Sequence, residues 1–118
     1  MIECIEGKLR VDGVVWKLDY LVSDAFENNS KIIVLFDSDG GLNLPKFNNL
    51  VCFDRNARQL WIAELPIDTP RDKYFRHAKS DVYYSIISRQ PLIAYSFSSY
   101  EAEINLDTGK IIKKTFTK

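Results

Sequence analysis

The sequence predicts an all-β fold, a single antiparallel domain over residues 1–118. Short runs of β-branched and aromatic residues alternate with turn residues along the whole chain, which is typical of strands joined in hairpins. No long stretch repeats its apolar residues with the helical period of about 3.6. The strand–helix alternation of a parallel sheet is also missing. We expect about eight or nine strands, forming a meander, a sandwich or a partly closed barrel.

The first hairpin is predicted around Asp12-Gly13, a dipeptide that favours tight turns between strands. The runs on either side, 8–11 and 14–20, alternate apolar and polar residues with the period of two that half-buried strands show. In the first run, this alternation places Leu9 and Val11 toward the core.

A central strand is predicted over residues 31–36, because a continuous apolar run rich in β-branched residues suits a strand buried on both faces. The segment before it, 23–30, is expected to be a polar connector with at most one helical turn. Two further strands are predicted over 49–53 and 59–64, joined by a polar turn.

The C-terminal half predicts strands over 82–87, 91–97, 100–104 and 110–116. The lysines of the last segment suit an edge strand, where charge discourages pairing with other chains. At most one short helix is expected, near residues 70–78, because Thr69 suits the N-cap and Pro70 the first helical position.

Composition excludes several classes of function. The chain has 118 residues, with 16 basic and 16 acidic side chains and a formal net charge of zero. This balance argues against nucleic-acid binding, which needs a basic excess. The apolar runs are too short for a transmembrane helix. Residues 1–6 lack the pattern of a signal peptide, so we expect a cytoplasmic protein without membrane contact.

The residues that usually carry chemistry do not form a catalytic or metal-binding pattern. Cys4 and Cys52 are expected to be reduced, buried thiols, since clustered Cys/His spacing is missing. His77 has no nucleophile motif around it. The segment 37–48 starts like a calcium loop but has its glycine and final ligand misplaced. The sequence therefore predicts no enzyme, no cofactor and no metal.

Two segments resemble a known repeat. The first, over 49–61, reads NLVCFDRNARQLW, and the second, over 104–112, reads INLDTGKII. Each is similar to the inner hairpin of a quinoprotein-type (PQQ-like) β-propeller blade, in which an apolar strand runs into an Asp and a polar turn. Ala57 stands where that repeat commonly has Gly. Propellers need at least about four blades of ~40–45 residues, so the resemblance implies hairpin geometry without quinone chemistry.

A binding surface is predicted in the C-terminal half, where aromatic residues concentrate beside a basic segment. Tyrosine and arginine are the usual anchors of protein interfaces. The candidate residues are Arg71, Arg76, Tyr83, Tyr84, Tyr95 and Tyr100. The alternative is that the tyrosines fill the core, as aromatics in strands commonly do.

Three functions stay open at this point. The first is a non-enzymatic protein-binding module, similar in style to the inhibitors and immunity proteins encoded beside bacterial toxins. The second is a small-molecule-binding barrel or sandwich. The third is a homo-oligomer in which sheet edges pair between subunits.

Overall fold

The computed structural model describes residues 1–37, 49–64, 84–96 and 100–116. Within these ranges every regular element is a β-strand. The strands are β1 (Ile2–Ile5), β2 (Lys8–Val11), β3 (Val14–Val15), β4 (Val22–Asn28), β5 (Lys31–Phe36), β6 (Leu50–Phe53), β7 (Gln59–Ile62), β8 (Tyr84–Arg89), β9 (Leu92–Ser96), β10 (Tyr100–Ile104) and β11 (Ile111–Phe116). The helix predicted near 70–78 lies outside the described residues.

The strands form three antiparallel sheets, each a meander of strands that follow one another in the chain. The N-terminal sheet has the order β1-β2-β3, the central sheet β4-β5-β6-β7 and the C-terminal sheet β11-β10-β9-β8. None of these described sheets closes into a barrel. The predicted antiparallel all-β class is therefore confirmed, and its form is a stack of three open sheets.

The central sheet buries both of its faces, as the middle strand β5 shows. Ile33 and Leu35 belong to a core shared with the C-terminal sheet. Ile32 and Val34 belong to a second core shared with the N-terminal sheet. Because successive side chains of a strand point to opposite faces, the continuous apolar run supplies both cores at once. The prediction of a strand buried on both faces is confirmed.

The N-terminal sheet packs through β2 and the residue that follows β3. Leu9 and Val11 are 1% and 4% exposed, which confirms the predicted inward face. Trp16 is buried beside them, and its ring meets that of Phe53 edge-on with centroids 5.7 Å apart. The strand predicted over 14–20 ends after two residues.

A buried asparagine joins the central and C-terminal sheets. The Asn49 side-chain amide donates to the carbonyl oxygens of Phe36 and Tyr84, at 3.1 and 2.9 Å. Its side-chain oxygen accepts from the Tyr84 amide nitrogen at 2.8 Å. A buried polar group left without partners costs about 1–3 kcal/mol, so these three bonds fix where β8 starts against the central sheet.

The two propeller-like segments contact each other. The Trp61 indole nitrogen donates to the Leu106 carbonyl at 2.9 Å. Gly109, with φ of +76°, lies against the same indole, and a Cβ at this position would stand 2.5 Å from its Cε3 atom. Glu64 fixes the turn from the other side: its amide donates to the Gly109 carbonyl and its carboxylate accepts from the Ile111 amide, both at 2.8 Å. The relationship to propeller repeats itself stays a prediction.

The described strands number eleven instead of the predicted eight or nine, because β1 and β4 were not expected. The segment read as a polar connector is β4, an edge strand of the central sheet. Edge strands accept polar side chains where they face solvent, so the polar residues of β4 made it look like a connector in the sequence. Asn29 and Ser30, with φ of 51° and 66°, form the turn into β5, and two successive left-handed residues are the signature of a tight hairpin.

Candidate functional site

The structure corrects the predicted binding surface at Tyr84. Its side chain is 1% exposed and lies in the core between the central and C-terminal sheets. The hydroxyl donates to the Glu64 carbonyl at 2.6 Å. Burial, with a smaller effect of the Glu64 carboxylate, raises the pKa of the Tyr84 phenol far above its ordinary value. A partner protein therefore cannot reach Tyr84, and its inclusion in a surface was wrong.

Tyr95 and Tyr100 are half-buried and lie on opposite faces of the C-terminal sheet. Tyr95 pairs across the strands with Glu101 on the outward face. Tyr100 lies on the inward face, where its ring meets that of Phe116 edge-on at 5.4 Å and the Lys114 ammonium lies 5.3 Å from its centroid. They do not form one surface. Arg71, Arg76 and Tyr83 lie outside the described residues.

The two cysteines differ in exposure, which corrects the expectation that both are buried. Cys52 is buried, and desolvation raises its thiol pKa to about 11. Cys4 is exposed, yet partial desolvation and the nearby Asp24 carboxylate raise its pKa as well. Both thiols are free and stay protonated at neutral pH, whereas a reactive cysteine needs a lowered pKa.

The described residues form an open groove of about 460 Å³ between the N-terminal sheet and the β6–β7 turn. Its lining comprises Val11, Asp12, Val14, Val15, Trp16, Lys17, Arg55, Asn56 and Ala57. Val14 and Val15 form the edge strand β3 and are 62% and 50% exposed. Two apolar side chains therefore stand at an open strand edge beside the buried Trp16, and we call this site the β3 groove.

Arg55 holds the two sides of the β3 groove together. Its guanidinium donates to the carboxylates of Asp12, in the β2–β3 turn, and Glu27, on β4. The N-terminal amine donates to Asp12 as well. These contacts hold the pKa of the Asp12 carboxyl below its ordinary value and raise that of Arg55. Three separate elements are thus tied by one ion network at the rim of the groove.

The turn that presents Arg55 is built by Asp54. Its carboxylate accepts from the amides of Asn56 and Arg58, at 2.8 and 2.9 Å, which is the geometry of an Asx turn. The Arg58 amide is the main reason that the pKa of Asp54 lies below its ordinary value. Ala57 has φ of 67°, a left-handed conformation that favours glycine.

The chemistry of the β3 groove suits binding. Its floor and one wall are apolar, and two of its charged groups, Asp12 and Arg55, pair with each other at one end. Across the described ranges, no group of three or more His, Cys, Asp or Glu side chains is placed to hold a metal ion. Every buried side-chain polar atom there has a hydrogen-bond partner. In the same ranges no helix has the length and apolarity needed to cross a membrane.

Sequence reasoning missed the β3 groove for an identifiable reason. Period-two alternation puts Val14 on the same side of the predicted strand as Trp16, but it does not show which of the two is covered. In the structure Val14 is exposed while Trp16 is buried. Arg55 carries no local signal either, since its partners Glu27 and Asp12 are 28 and 43 residues away in the chain.

The fold and the groove define a class: a small antiparallel β protein of three stacked sheets with an open apolar site at one edge. The chain belongs to the family described as "Domain of unknown function (DUF7957)", which matches residues 1–116. No curated protein matches the chain. No solved structure matches it either.

Proposed function

We propose that the protein is a non-enzymatic protein-binding module whose β3 groove receives an extended segment of a partner protein. The observation that supports this most is the exposure of Val14 and Val15 on an open edge strand. Such an edge is a template for pairing with another chain, and proteins usually cover or charge it. Here neither valine is charged, and Val14 lies on the side of the buried Trp16.

The groove is held ready for a partner by contacts on both sides. Trp16 is packed against Phe53, which fixes the floor. Arg55 ties the opposite wall to Asp12 and Glu27. A preformed site loses little conformational entropy on binding, which favours affinity.

The lining also indicates the chemistry of the partner segment. An apolar side chain would lie over Trp16, between Val14 and the β6–β7 turn. Lys17 is an exposed cation at the rim. An acidic residue next to the apolar anchor would therefore be favoured, because complementary rim charges raise the association rate.

The test is affinity capture from lysate of the natural source, comparing the wild type with Val14→Asp. The matched control is Ile112→Asp, because Ile112 is equally apolar and 57% exposed but lies on β11 in the C-terminal sheet. We expect one stoichiometric partner, kept by the control and lost by Val14→Asp. The purified partner should then bind Val14→Asp at least about tenfold more weakly in calorimetry.

A partner held equally by both variants would contradict the groove as the site. Capture of nothing by the wild type would contradict the protein-binding function. Unchanged melting temperatures are expected for both variants, since each altered side chain is exposed.

A small-molecule ligand is the second candidate, and the volume of the groove favours it. About 460 Å³ lies within the range of ~300–1,000 Å³ typical of ligand pockets. A thermal-shift screen tests this: a compound that raises the melting temperature of the wild type, and not that of Val14→Asp, would favour it. Hits that shift both proteins equally would argue for another site.

The free thiols of Cys4 and Cys52 support the proposal of a reducing, cytoplasmic location. Fractionation of the source cells checks it: recovery outside the cytoplasm would contradict this location.

A further inference from the structure

The two outer sheets each have one face turned away from the central sheet. In the N-terminal sheet, register and burial place on this face Glu3, Ile5, Lys8, Arg10 and Val15. We call this set the N-terminal face. In the C-terminal sheet, the corresponding set is Ile93, Tyr95, Glu101, Glu103 and Lys113, the C-terminal face. The opposite faces of both sheets supply the two cores.

The charges of the two faces are complementary and equally spaced. Lys8 and Arg10 lie two residues apart on β2, with side chains on the same face. Glu101 and Glu103 have the same relation on β10. Since a strand rises about 3.4 Å per residue, both pairs are about 7 Å apart. A basic pair on one face can therefore meet an acidic pair on the other in register.

Apolar side chains accompany these charges. Ile5 and Val15 are 54% and 50% exposed on the N-terminal face. Ile93 is half-buried on the C-terminal face, next to Glu103 across the strands. Each face also holds one residue of the opposite charge. Glu3 on the N-terminal face lies across from Arg10, and Lys113 on the C-terminal face lies across from Glu103. Both faces thus combine an apolar patch with an excess of opposite charge.

The two faces lie at opposite ends of one molecule. The central sheet separates them, because its alternate side chains enter the two different cores. Complementary surfaces at opposite ends of one chain produce head-to-tail contacts, which close into rings or continue as filaments.

We propose that a second copy of this chain stacks its C-terminal face on the N-terminal face, with Lys8 and Arg10 opposite Glu101 and Glu103. The contact extends the stack of sheets from one molecule into the next, at the usual sheet spacing of about 10 Å. The proposed contact is not a pairing of strand edges. If two copies paired through their β11 edges, the adjacent Lys113 and Lys114 of each would repel one another. The proposed contact does not depend on a protein partner at the β3 groove.

The test uses two charge-reversed proteins and sedimentation velocity over a wide range of concentration. The first is Lys8→Glu with Arg10→Glu, which makes both faces acidic. The second is Glu101→Lys with Glu103→Lys, which makes both faces basic. The control, Arg58→Glu with Lys110→Glu, reverses two exposed cations that lie on neither face and do not line the β3 groove. Circular dichroism checks that all variants are folded.

We expect the wild type and the control to associate with increasing concentration, and more weakly at high salt. Each charge-reversed protein alone should associate at least about a hundredfold more weakly, because like charges then meet. An equimolar mixture of the two should recover association, since each altered face meets an altered partner of opposite charge. The four substitutions combined in one chain should recover it as well.

Four results would overturn the proposal. The first is a wild type that stays monomeric at every concentration. The second is a charge-reversed protein that, measured alone, associates as strongly as the wild type. The third is a mixture that stays monomeric, since matched charges would then not define the contact. The fourth is loss of association in the control, because Arg58 and Lys110 lie outside both faces.

Discussion

The central sheet is covered on its two faces by sheets that hold to it in different ways. On the C-terminal side the contact is close: Trp61 lies against Gly109, and Tyr84 and Asn49 are buried with their polar atoms bonded. On the N-terminal side an apolar core is closed at its rim by exposed charges around Arg55. We therefore expect the first interface to contribute more to stability, whereas the second leaves a groove and apolar side chains open for binding.

The largest effect should come from Tyr84→Ala, which opens a cavity in the C-terminal interface. Truncating a large buried aromatic costs about 4 kcal/mol of unfolding free energy, measured by urea denaturation. Tyr84→Phe keeps the ring and removes only the bond to the Glu64 carbonyl, so it should cost about 1–2 kcal/mol. A loss below about 1 kcal/mol for Tyr84→Ala would show that this interface does not carry the stability.

Gly109→Ala should be next, at about 3 kcal/mol, because it adds a clash to a left-handed backbone. The new Cβ would lie 2.5 Å from the Trp61 ring. Gly13→Ala is the matched control: its φ is +85°, but its Cβ would meet open space. It should lose only about 1 kcal/mol in the same denaturation experiment. Equal losses would mean that contact with Trp61 contributes nothing.

A smaller, stabilising effect is expected for Ala57→Gly, in the turn that borders the β3 groove. Ala57 has φ of 67°, where an alanine is strained and a glycine is not. We expect a gain of about 1 kcal/mol in unfolding free energy, read as a higher urea midpoint. Ala25→Gly, in the extended strand β4, should change stability in the opposite direction. A loss in both would contradict the strained turn.

The smallest effect should be the acid response of the N-terminal interface. The pKa values of Asp12 and Asp54 are held below the ordinary 3.8, so the unfolded chain binds more protons than the folded one. The stability they add is complete above pH 3.8 and is lost as the pH falls through their lowered values. Asp12→Asn with Asp54→Asn should flatten the fall of melting temperature below this pH.

The matched control for the acid response is Asp19→Asn, which removes an exposed carboxylate outside both turns. It should keep the wild-type dependence of melting temperature on pH. If the double variant follows the wild-type curve as well, the ion network does not contribute to acid stability.

The sequence predicted the parts of the fold whose signals are local. β5 was recognisable from its apolar run, and the hairpin at Asp12-Gly13 from its turn. β4 was missed because an edge strand tolerates polar residues.

The site was harder to predict from the sequence, since it depends on contacts between distant parts of the chain. Period-two alternation shows which side chains share a face, but not whether another sheet covers that face. Tyr84 was therefore assigned to a surface although it is buried, and the exposure of Val14 was not predicted. The Arg55 network depends on three elements that meet only after folding.

The burial of β5 on both faces also determines the order in which the molecule opens. The backbone hydrogen bonds of β5 go to β4 on one side and β6 on the other, and a core covers each face. Local fluctuations of an outer sheet therefore leave these bonds closed. In hydrogen–deuterium exchange, the amides of Ile32–Leu35 should exchange only when the whole stack unfolds, at the slowest rates in the described chain. The amides of the two-residue strand β3 should exchange early, because opening this edge strand disturbs neither of the two cores on the central sheet.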